Sequence, residues 1–268
     1  MIQNKLRNER TRLRREFHAA VPDIPTRHFI CDDLLPDEVA RNIFEAFPKN
    51  KTAFRRIESF REKKSTSKNL NQFPPILSHI IFALQDPSIV RLIEEITGIP
   101  DQEADPKLYA GGLSMMFKDD YLNPHIDNSH DSERRLYRTL NLLYYVTPNW
   151  RLESGGNLEL WDGVVRNNLT LESKFNRLVV METNKTSLHS VHKVASDGAR
   201  CCVSNYYFSR HCRYDRDYFH VTEFHGRPED RFGRARAMLD RFLRTGMRKL
   251  VPSGLSKKDI HGPAPAAR

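Results

Sequence analysis

No stretch of the sequence comes near the roughly 18 uninterrupted apolar residues that a membrane-spanning helix requires. The basic N-terminus, Met1 to Phe17, is not followed by the apolar stretch and small-residue cleavage site of a secretory signal. Internal repeats, which would indicate a solenoid or a propeller, are also lacking. Membrane-anchored and secreted proteins are therefore not expected, and we predict a cytoplasmic protein.

Cysteine is scarce, and none of the four residues, Cys31, Cys201, Cys202 and Cys212, belongs to a CxxC pair. Neighbouring strand residues point to opposite faces of a sheet, so the adjacent pair would be separated if it lies on a strand. We therefore expect reduced thiols that bind no metal, as is usual in a reducing compartment.

The chain carries a net charge of +9, from 43 Lys and Arg against 34 Asp and Glu. Such a surplus suits an anionic partner such as nucleic acid, lipid headgroups or an acidic small molecule. Much of it lies in Lys5–Arg15 and Arg227–Lys249, so it describes the periphery more than the centre of the chain. The basic residues are not interleaved with aromatic side chains and form no recognised nucleic-acid-binding module, so nucleic acid is not the expected partner.

A length of 268 residues fits one domain with additions at its ends. Residues 1–108 are predicted to be mainly helical and to pack on a barrel. A helix begins at Pro36, and Pro74–Gly98 has the pattern of two short helices split at Asp86. The charged, Ser/Asn-rich stretch Lys51–Phe73 is expected to be a mobile surface loop.

From Tyr109 the pattern changes to short apolar or alternating runs separated by turn residues, which predicts a barrel over residues 109–210. Short strands after a helical lead-in indicate a mainly β (α+β) fold, a jelly-roll barrel with helices packed on one side. The predicted strands are Ala110–Phe117, His125–Asn128, Thr139–Val146, Asn157–Trp161, Asn168–Leu171, Arg177–Glu182, Ser190–Val194 and Cys201–Phe208.

The end of the chain returns to a helical pattern. Residues 211–252 are predicted to form a basic amphipathic helix whose apolar stripe, Met238 to Leu250, docks on the barrel or on a second subunit. The second alternative would make a homo-oligomer, and a role at a membrane surface is less favoured. Residues 253–268 have the composition of a disordered tail.

The segment Asn123 to Asn128 carries the clearest chemical signal. On a strand His125 and Asp127 share a face, whereas on a helix they would diverge by about 200°. An imidazole beside a carboxylate supplies two ligands of a 2-His-1-carboxylate triad, which leaves positions on iron open for a bidentate ligand and O2. An HxD tripeptide alone arises easily by chance, so the interpretation requires a further histidine from a distant strand.

Two histidines lie at a suitable distance beyond this pair, His189 and His192. They are three residues apart and must face opposite sides of a regular strand, so only one can reach the metal unless a bulge intervenes. His130 lies closer in sequence, but its odd spacing from His125 would turn it to the other face of a continuous strand.

Arg200 is the candidate for binding an anionic cosubstrate. It heads the apolar strand Cys201–Phe208, where a charge entering a barrel needs a partner. Its planar guanidinium can bind a carboxylate through two hydrogen bonds, and the far carboxylate of an oxo-diacid would provide that partner. The alternative is a surface salt bridge.

The ordered motifs of this region resemble the 2-oxoglutarate/Fe(II)-dependent dioxygenase superfamily, in particular its prolyl-hydroxylase-like branch. The resemblance covers Tyr109–Ser209 and says little about either end. It rests on His125-Ile126-Asp127-Asn128, Arg138 through Asn141-Leu142-Leu143-Tyr144-Tyr145 to Trp150, Ser154-Gly155-Gly156-Asn157-Leu158, His189-Ser190-Val191 and Arg200 to Tyr206-Tyr207-Phe208.

This resemblance implies a double-stranded β-helix, cupin-like in architecture, with Fe(II) held by His125, Asp127 and His189. His189 is preferred over His192 because Val191 then falls where the family has a valine. The resemblance further implies that 2-oxoglutarate and O2 are cosubstrates, with ascorbate as a candidate reductant, and that succinate and CO2 are products. Arg200 would pair with the distal carboxylate of 2-oxoglutarate, and Tyr145 would hydrogen-bond to it.

The expected function is therefore a hydroxylase acting on a small-molecule or peptidyl substrate. Asp127 argues against the halogenating relatives, in which a small residue replaces this carboxylate. The competing hypotheses are a catalytically degenerate metal-binding barrel, a nucleic-acid-binding protein, and an oxygenase acting on an anionic sugar or lipid. The sequence does not identify the substrate.

Overall fold

The residues described in the computed structural model are 1–49, 52–214 and 216–230. Their helices are α1 (Ile2–His18), α2 (Asp37–Glu45), α3 (Pro75–Ala83) and α4 (Pro87–Thr97), with 3-10 turns at Leu70–Gln72 and Leu152–Ser154. Their strands are β1 (His28–Asp32), β2 (Arg55–Glu58), β3 (Glu62–Ser67), β4 (Glu103–Ala104), β5 (Gly112–Phe117), β6 (Tyr121–Ile126), β7 (Tyr137–Tyr145), β8 (Leu158–Trp161), β9 (Asn168–Leu171), β10 (Arg177–Glu182), β11 (His189–Val191), β12 (Ala199–Ser209) and β13 (Glu223–Phe224).

The strands form one curled antiparallel sheet in the order β1-β10-β7-β12-β5-β3-β6-β11-β8-β9. β13 pairs with β6, β2 with β3 and β4 with β12. The predicted mainly β fold of double-stranded β-helix type is confirmed, and every strand predicted after Tyr109 overlaps an observed one. The largest shift concerns the predicted His125–Asn128, which the structure has as Tyr121–Ile126 because the chain stays extended through Pro124.

The local sequence marks the start of α2 and both ends of α4. α2 begins after Pro36, as predicted. At the start of α4 the carboxylate of Asp86 accepts a hydrogen bond of 2.8 Å from the backbone N–H of Ser88, which satisfies one of the free donors of a helix start. α4 ends at Gly98, whose φ of +67° is a conformation that favours glycine. The predicted pair of helices over Pro74–Gly98 is therefore confirmed.

The prediction of a surface loop over Lys51–Phe73 is wrong. Within its described part, from residue 52 onward, β2 and β3 form a hairpin, and β3 pairs with both β5 and β6 inside the sheet. Arg56 fixes the hairpin through two hydrogen bonds of 2.6 Å to the carboxylate of Asp120. The segment is so polar that it lacks the apolar alternation by which strands are predicted, and backbone pairing with the neighbouring strands holds it instead.

The C-terminal prediction is corrected in its described part. Residues 211–214 and 216–230 contain no helix; within them the short strand β13 pairs with β6. The rest of the predicted helix, 231–252, and the predicted tail, 253–268, lie outside the described residues.

Apolar side chains pack on both faces of β12. Cys201 belongs to the large cluster between helices and sheet, together with Phe17 and Ile93. Cys202 belongs to a second cluster, together with Tyr145, as the alternation of strand residues predicts. All four cysteines are free thiols, as expected.

Among the described helices, none alone combines the length and the hydropathy of a membrane span; α3 and α4 meet that criterion only as a pair, which is bent by 44°.

Candidate metal centre

The candidate metal centre forms where β6 and β11 pair side by side. His189 is the direct cross-strand partner of His125, and Asp127 follows β6 by one residue. The Nε2 atoms of His125 and His189 lie 3.6 Å and 3.7 Å from the two carboxylate oxygens of Asp127. One donor atom from each of the three buried residues lies within 4.8 Å of the others. The structure therefore brings together the three side chains predicted as ligands.

Both imidazoles are held in a ligand-ready orientation by the backbone. Nδ1 of His125 donates to the carbonyl oxygen of Asn123, and Nδ1 of His189 donates to that of Ser187, each at 2.9 Å. A proton on Nδ1 leaves the lone pair on Nε2, the atom that faces Asp127. The two rings are therefore preset to bind a cation through Nε2.

The surroundings also favour the protonation states that a metal requires. Burial, together with the neighbouring His125, lowers the pKa of His189 to about 4. Burial opposes ionisation of Asp127, but the charge of Arg138 outweighs it and holds the pKa of Asp127 below its ordinary value. Neutral imidazole and ionised carboxylate are the forms that bind metal ions.

The other two histidines considered as ligands lie elsewhere. His192 is exposed, and its backbone N–H donates to the carbonyl of Asn157, the residue before β8. His130 is buried, with its Nδ1 2.8 Å from the hydroxyl of Ser129 and its ring 4.4 Å from that of Tyr137. Neither belongs to the group of candidate metal ligands.

Arg200 lies at the start of β12, almost completely buried, on the same cavity as the three ligands. Its guanidinium is 4.8 Å from the ring centre of Tyr145, and its Nε donates to the hydroxyl of Ser173 at 3.3 Å. The hydroxyl of Tyr145 has no hydrogen-bond partner among the described residues, and burial raises its pKa to about 12. The predicted pair thus presents a buried cation and an unsatisfied hydroxyl side by side.

Gly156 makes room for the side chain of Arg200. A Cβ at this position would lie 2.9 Å from Cδ of Arg200 and 3.1 Å from a methyl group of Val194. Its φ of +66° also disfavours any residue with a side chain. The second glycine of the Gly155-Gly156 pair therefore supports the candidate cosubstrate site.

Arg138, which was not predicted as a site residue, lies beside the candidate ligands. Its Nη1 is 3.4 Å from the Asp127 carboxylate, and its guanidinium lies 4.2 Å from the ring centre of Tyr206. The side chain is buried, and its Nε and Nη2 have no hydrogen-bond partner among the described residues. The sequence signal for Arg138 was its place in the motif before Asn141, but its contact with Asp127 arises only in the folded chain.

Residues 216–230 also contact the candidate metal centre. The ring of Phe224 on β13 stacks on that of His125, with centroids 5.2 Å apart and planes at 20°. Three residues later, Arg227 donates to the buried carboxylate of Glu159 at 2.7 Å and to the carbonyl of Val191 at 3.1 Å. This segment therefore packs against the imidazole of His125. Its role was not predicted, because residues 211–252 were expected to form a helix.

A cavity of about 490 Å³ opens over these groups. Its inner wall contains the three candidate ligands, Arg200 and apolar side chains of the sheet. Asn141 and Tyr206 also line the cavity, and the Asn141 amide donates a hydrogen bond of 3.1 Å to the Tyr206 hydroxyl. The cavity has room for a small organic molecule beside the candidate metal centre.

Residues 111–208 match the sequence model of the 2OG-Fe(II) oxygenase superfamily. Solved structures with a similar fold include a prolyl-4-hydroxylase of Pseudomonas putida, with a TM-score of 0.53 and 13% identity over 79% of this chain and 100% of the other. A prolyl 4-hydroxylase from Phytophthora capsici gives a TM-score of 0.54 and 15% identity over 93% of this chain and 77% of the other.

A third similar structure is a prolyl hydroxylase from Trichoplax adhaerens, with a TM-score of 0.51 and 15% identity over 78% of this chain and 90% of the other. No curated protein matches the sequence. The solved structures establish the fold, the family match covers the barrel, and the three buried donors supply the residues that the family's chemistry needs. The barrel of this chain, residues 111–208, therefore matches the 2OG-Fe(II) oxygenase superfamily, whose enzymes use Fe(II) and 2-oxoglutarate as cofactor and cosubstrate, and it contains three candidate ligands for the metal.

Proposed function

We propose that this enzyme hydroxylates an unactivated C–H bond of an amino-acid-like, peptidyl or specialised-metabolite substrate and forms succinate and CO2. The observation that carries the proposal is the shared cavity. Arg200 lines the same cavity as the cluster of His125, Asp127 and His189. A barrel that only stores a metal has no use for a buried cation beside the metal ligands.

The residues fit Fe(II) by their chemistry. Two imidazoles and one carboxylate form the donor set that non-haem iron oxygenases use, and it leaves coordination positions for other ligands. Oδ2 of Asp127 is buried without a hydrogen-bond partner among the described residues, which is costly unless a cation binds there. His125, Asp127 and His189 would hold the iron.

The residues also fit the distal carboxylate of 2-oxoglutarate. The hydrogen-bond partners of Arg200 in the described structure are the hydroxyl of Ser173 and the sulfur of Met116, both uncharged. A buried guanidinium gains most from a carboxylate, and the unsatisfied hydroxyl of Tyr145 is placed to donate to the same group. Iron and 2-oxoglutarate, when bound, supply with O2 the oxidising power for C–H cleavage.

The residues of the chain position the metal ligands. The backbone carbonyls of Asn123 and Ser187 keep Nε2 of the two histidines turned inward. The charge of Arg138 favours the ionised form of Asp127 by lowering its pKa. Such preorganisation fixes the distance between a bound substrate and the metal, which decides which C–H bond is oxidised.

A peptidyl substrate has support from one similar structure. The solved structure of the prolyl hydroxylase from Trichoplax adhaerens is of a complex with a peptide fragment of the hypoxia inducible factor oxygen degradation domain. This likeness concerns the fold, and the lining residues between Ala53 and Gln72 lie outside the residues that match the family.

Incubation of the purified protein with Fe(II), ascorbate and 2-oxoglutarate tests the proposal. We expect slow succinate formation that requires iron and that the variant Asp127→Ala loses. Addition of cell extract should accelerate it, and mass spectrometry should then detect a metabolite or peptide that has gained one oxygen atom. Iron binding without any succinate formation, with or without extract, would favour the catalytically degenerate barrel instead.

A further inference from the structure

A second cavity, of about 250 Å³, lies at the end of the sheet where β7 begins and where its two neighbours, β10 and β12, end. Its lining includes Arg138 and Thr139 of β7, Ser209 of β12, and Thr183, which follows β10 by one residue. In an antiparallel sheet the start of one strand lies beside the ends of its neighbours. The topology therefore brings these residues together from distant parts of the chain.

The guanidinium of Arg138 has one edge in use and one edge free. Its Nη1 is 3.4 Å from the carboxylate of Asp127 in the candidate metal centre. Its Nε and Nη2 have no hydrogen-bond partner among the described residues, and the residue is 3% exposed. The N–H groups on Nε and Nη2 point the same way and form the fork that binds a carboxylate through two parallel hydrogen bonds. Because burial without an acceptor is costly for a cation, this edge fits an anionic ligand.

The hydroxyl of Thr183 is a second unsatisfied group of the same lining. Its Oγ1 is buried and has no hydrogen-bond partner within the described part of the chain, whereas its backbone N–H donates to the carbonyl of Thr139 at 2.8 Å. A threonine hydroxyl can donate one hydrogen bond to an oxyanion. The second cavity thus has unused donors on two neighbouring segments, β7 and the residue after β10.

The charged residues of this lining, as far as the chain is described, are mainly cationic. Arg27 donates to the buried carboxylate of Glu182 at 2.6 Å, and Arg213 contacts the same carboxylate. Burial and the nearby charge of Arg27 lower the pKa of Arg213, so these two cations repel each other while they share one acid. Arg138 is the third arginine of the lining. A bound anion would reduce the repulsion among the three.

Occupation of the candidate metal centre should strengthen this attraction for anions. A divalent cation held by Asp127 draws on the charge of that carboxylate, which then offsets Arg138 less. Positive charges would lie on both sides of Asp127, and their repulsion is strong in a buried site. The second cavity should therefore bind an anion best when the metal site is filled.

The remaining walls suit the hydrocarbon part of an organic acid. The rings of Tyr137 and Tyr218 have centroids 5.4 Å apart, and Ile99 and Pro100 line the cavity with them. Aromatic and aliphatic surface is favourable for an apolar group, whereas an inorganic ion gains nothing from it. The lining therefore favours an organic carboxylate over inorganic phosphate.

We propose that the second cavity binds a small organic carboxylate, whose oxygens accept hydrogen bonds from Nε and Nη2 of Arg138 and from the hydroxyl of Thr183. This site is additional to that of 2-oxoglutarate, which the proposed function assigns to Arg200. Because Arg138 also contacts Asp127, the bound acid acts on the candidate metal centre without entering the cavity that the metal ligands line.

The test uses the full-length protein loaded with Zn(II), a diamagnetic ion, and saturated with N-oxalylglycine, the unreactive analogue of 2-oxoglutarate. The metal and Arg200 are then already occupied. Benzoate is titrated, and saturation-transfer difference NMR measures its binding, with acetate and inorganic phosphate as competitors. We expect saturable binding of benzoate, which acetate displaces more effectively than phosphate does.

The variants Thr183→Val and Thr170→Val provide a matched comparison, because each removes one hydroxyl with little change of shape and Thr170 is exposed on β9. Thr183→Val should weaken benzoate binding about 2–10-fold, the range for one hydrogen bond, and Thr170→Val should leave it unchanged. Arg138→Gln should weaken it about 10-fold or more, the range for hydrogen bonds from a charged group.

A second pair of variants tests the charge of the lining. Arg213 and Arg210 each contact one glutamate, Glu182 and Glu103, but of the two arginines it is Arg213 that lines the second cavity. Arg213→Gln should therefore weaken benzoate binding more than Arg210→Gln. If it does not, the proposal is overturned, because binding would then not depend on the cations of this cavity.

Absence of saturable binding by benzoate and acetate would overturn the proposal, and so would displacement of benzoate by phosphate but not by acetate. Binding that is unchanged in Thr183→Val or in Arg138→Gln would also overturn it, because the acid would then bind elsewhere. Failure of N-oxalylglycine to bind would contradict the proposed function alone. The same variants would then be compared in the metal-free Arg200→Ala background, where neither the metal nor Arg200 can bind the acid and the same outcomes decide.

Discussion

The guanidinium of Arg138 lies 3.4 Å from the carboxylate of Asp127, and both side chains are buried. Without a metal this cation is the main charge that offsets the buried carboxylate. We predict that Arg138→Met destabilises the metal-free protein by about 3–5 kcal/mol, the range for breaking a buried ion pair, and the Mn(II)-loaded protein by less. Thermal unfolding with and without Mn(II) measures both losses. The exposed Arg135→Met is the control, and equal losses in both states would contradict this account of Arg138.

Gly156 and Arg200 are coupled by close packing, so a small change at the glycine should act on the cosubstrate. Gly156→Ala must adopt a positive φ and displace Cδ of Arg200, and we expect it to cost about 1–2 kcal/mol in the free energy of unfolding. It should weaken binding of N-oxalylglycine and leave metal affinity intact. Gly163→Ala is the control, since a Cβ there meets nothing within 4 Å. Unchanged N-oxalylglycine affinity in Gly156→Ala would show that the glycine does not support the site.

The choice between His189 and His192 can be tested directly. His189→Ala removes a buried donor from the cluster and should lower iron affinity by about 10–100-fold or more and abolish turnover. His192→Ala removes an exposed side chain and should retain iron and most activity. Metal titration followed by the succinate assay measures both properties. Loss of iron in His192→Ala with retention in His189→Ala would show that the register of β11 against β6 is wrong.

Arg227 should hold residues 223–227 against His125. In Arg227→Met the buried Glu159 loses its cationic partner, which should cost up to about 3–5 kcal/mol, and β13 should open more often. Hydrogen exchange at the amides of Phe224 and His225 should therefore accelerate. The control is Arg210→Met, which removes an exposed ion pair with Glu103. Unchanged protection of both amides would exclude an anchoring role for Arg227.

The barrel could be predicted from the sequence because its strands are short, apolar and separated by turn residues. The cluster of His125, Asp127 and His189 could be predicted because strand periodicity places two ligands on one face, and the resemblance then selected His189 over His192. These inferences depend on local spacing and on ordered motifs, both of which are properties of the sequence itself.

The part of the cavity formed by the hairpin of β2 and β3 could not be predicted in the same way. β2 and β3 consist largely of charged residues and serines, so no apolar alternation marks them, and pairing with β5 and β6 is a long-range property. The same holds for Arg138, which contacts Asp127 only after β7 is placed, and for Phe224, which lies about 100 residues from the ring on which it stacks. The metal ligands and Arg200 could therefore be predicted from the sequence. The hairpin of β2 and β3 and the residues that contact the ligands could not.

Titration of N-oxalylglycine into the Fe(II)-loaded protein without oxygen tests the central claim most directly, because it requires no knowledge of the substrate. The wild-type protein should bind the analogue. Arg200→Ala should weaken binding by about 2–4 kcal/mol with iron affinity nearly intact, and Arg200→Lys should recover part of the loss because a point charge cannot form the paired hydrogen bonds. Absence of binding to the iron-loaded wild type, or an unchanged affinity in Arg200→Ala, would contradict the account.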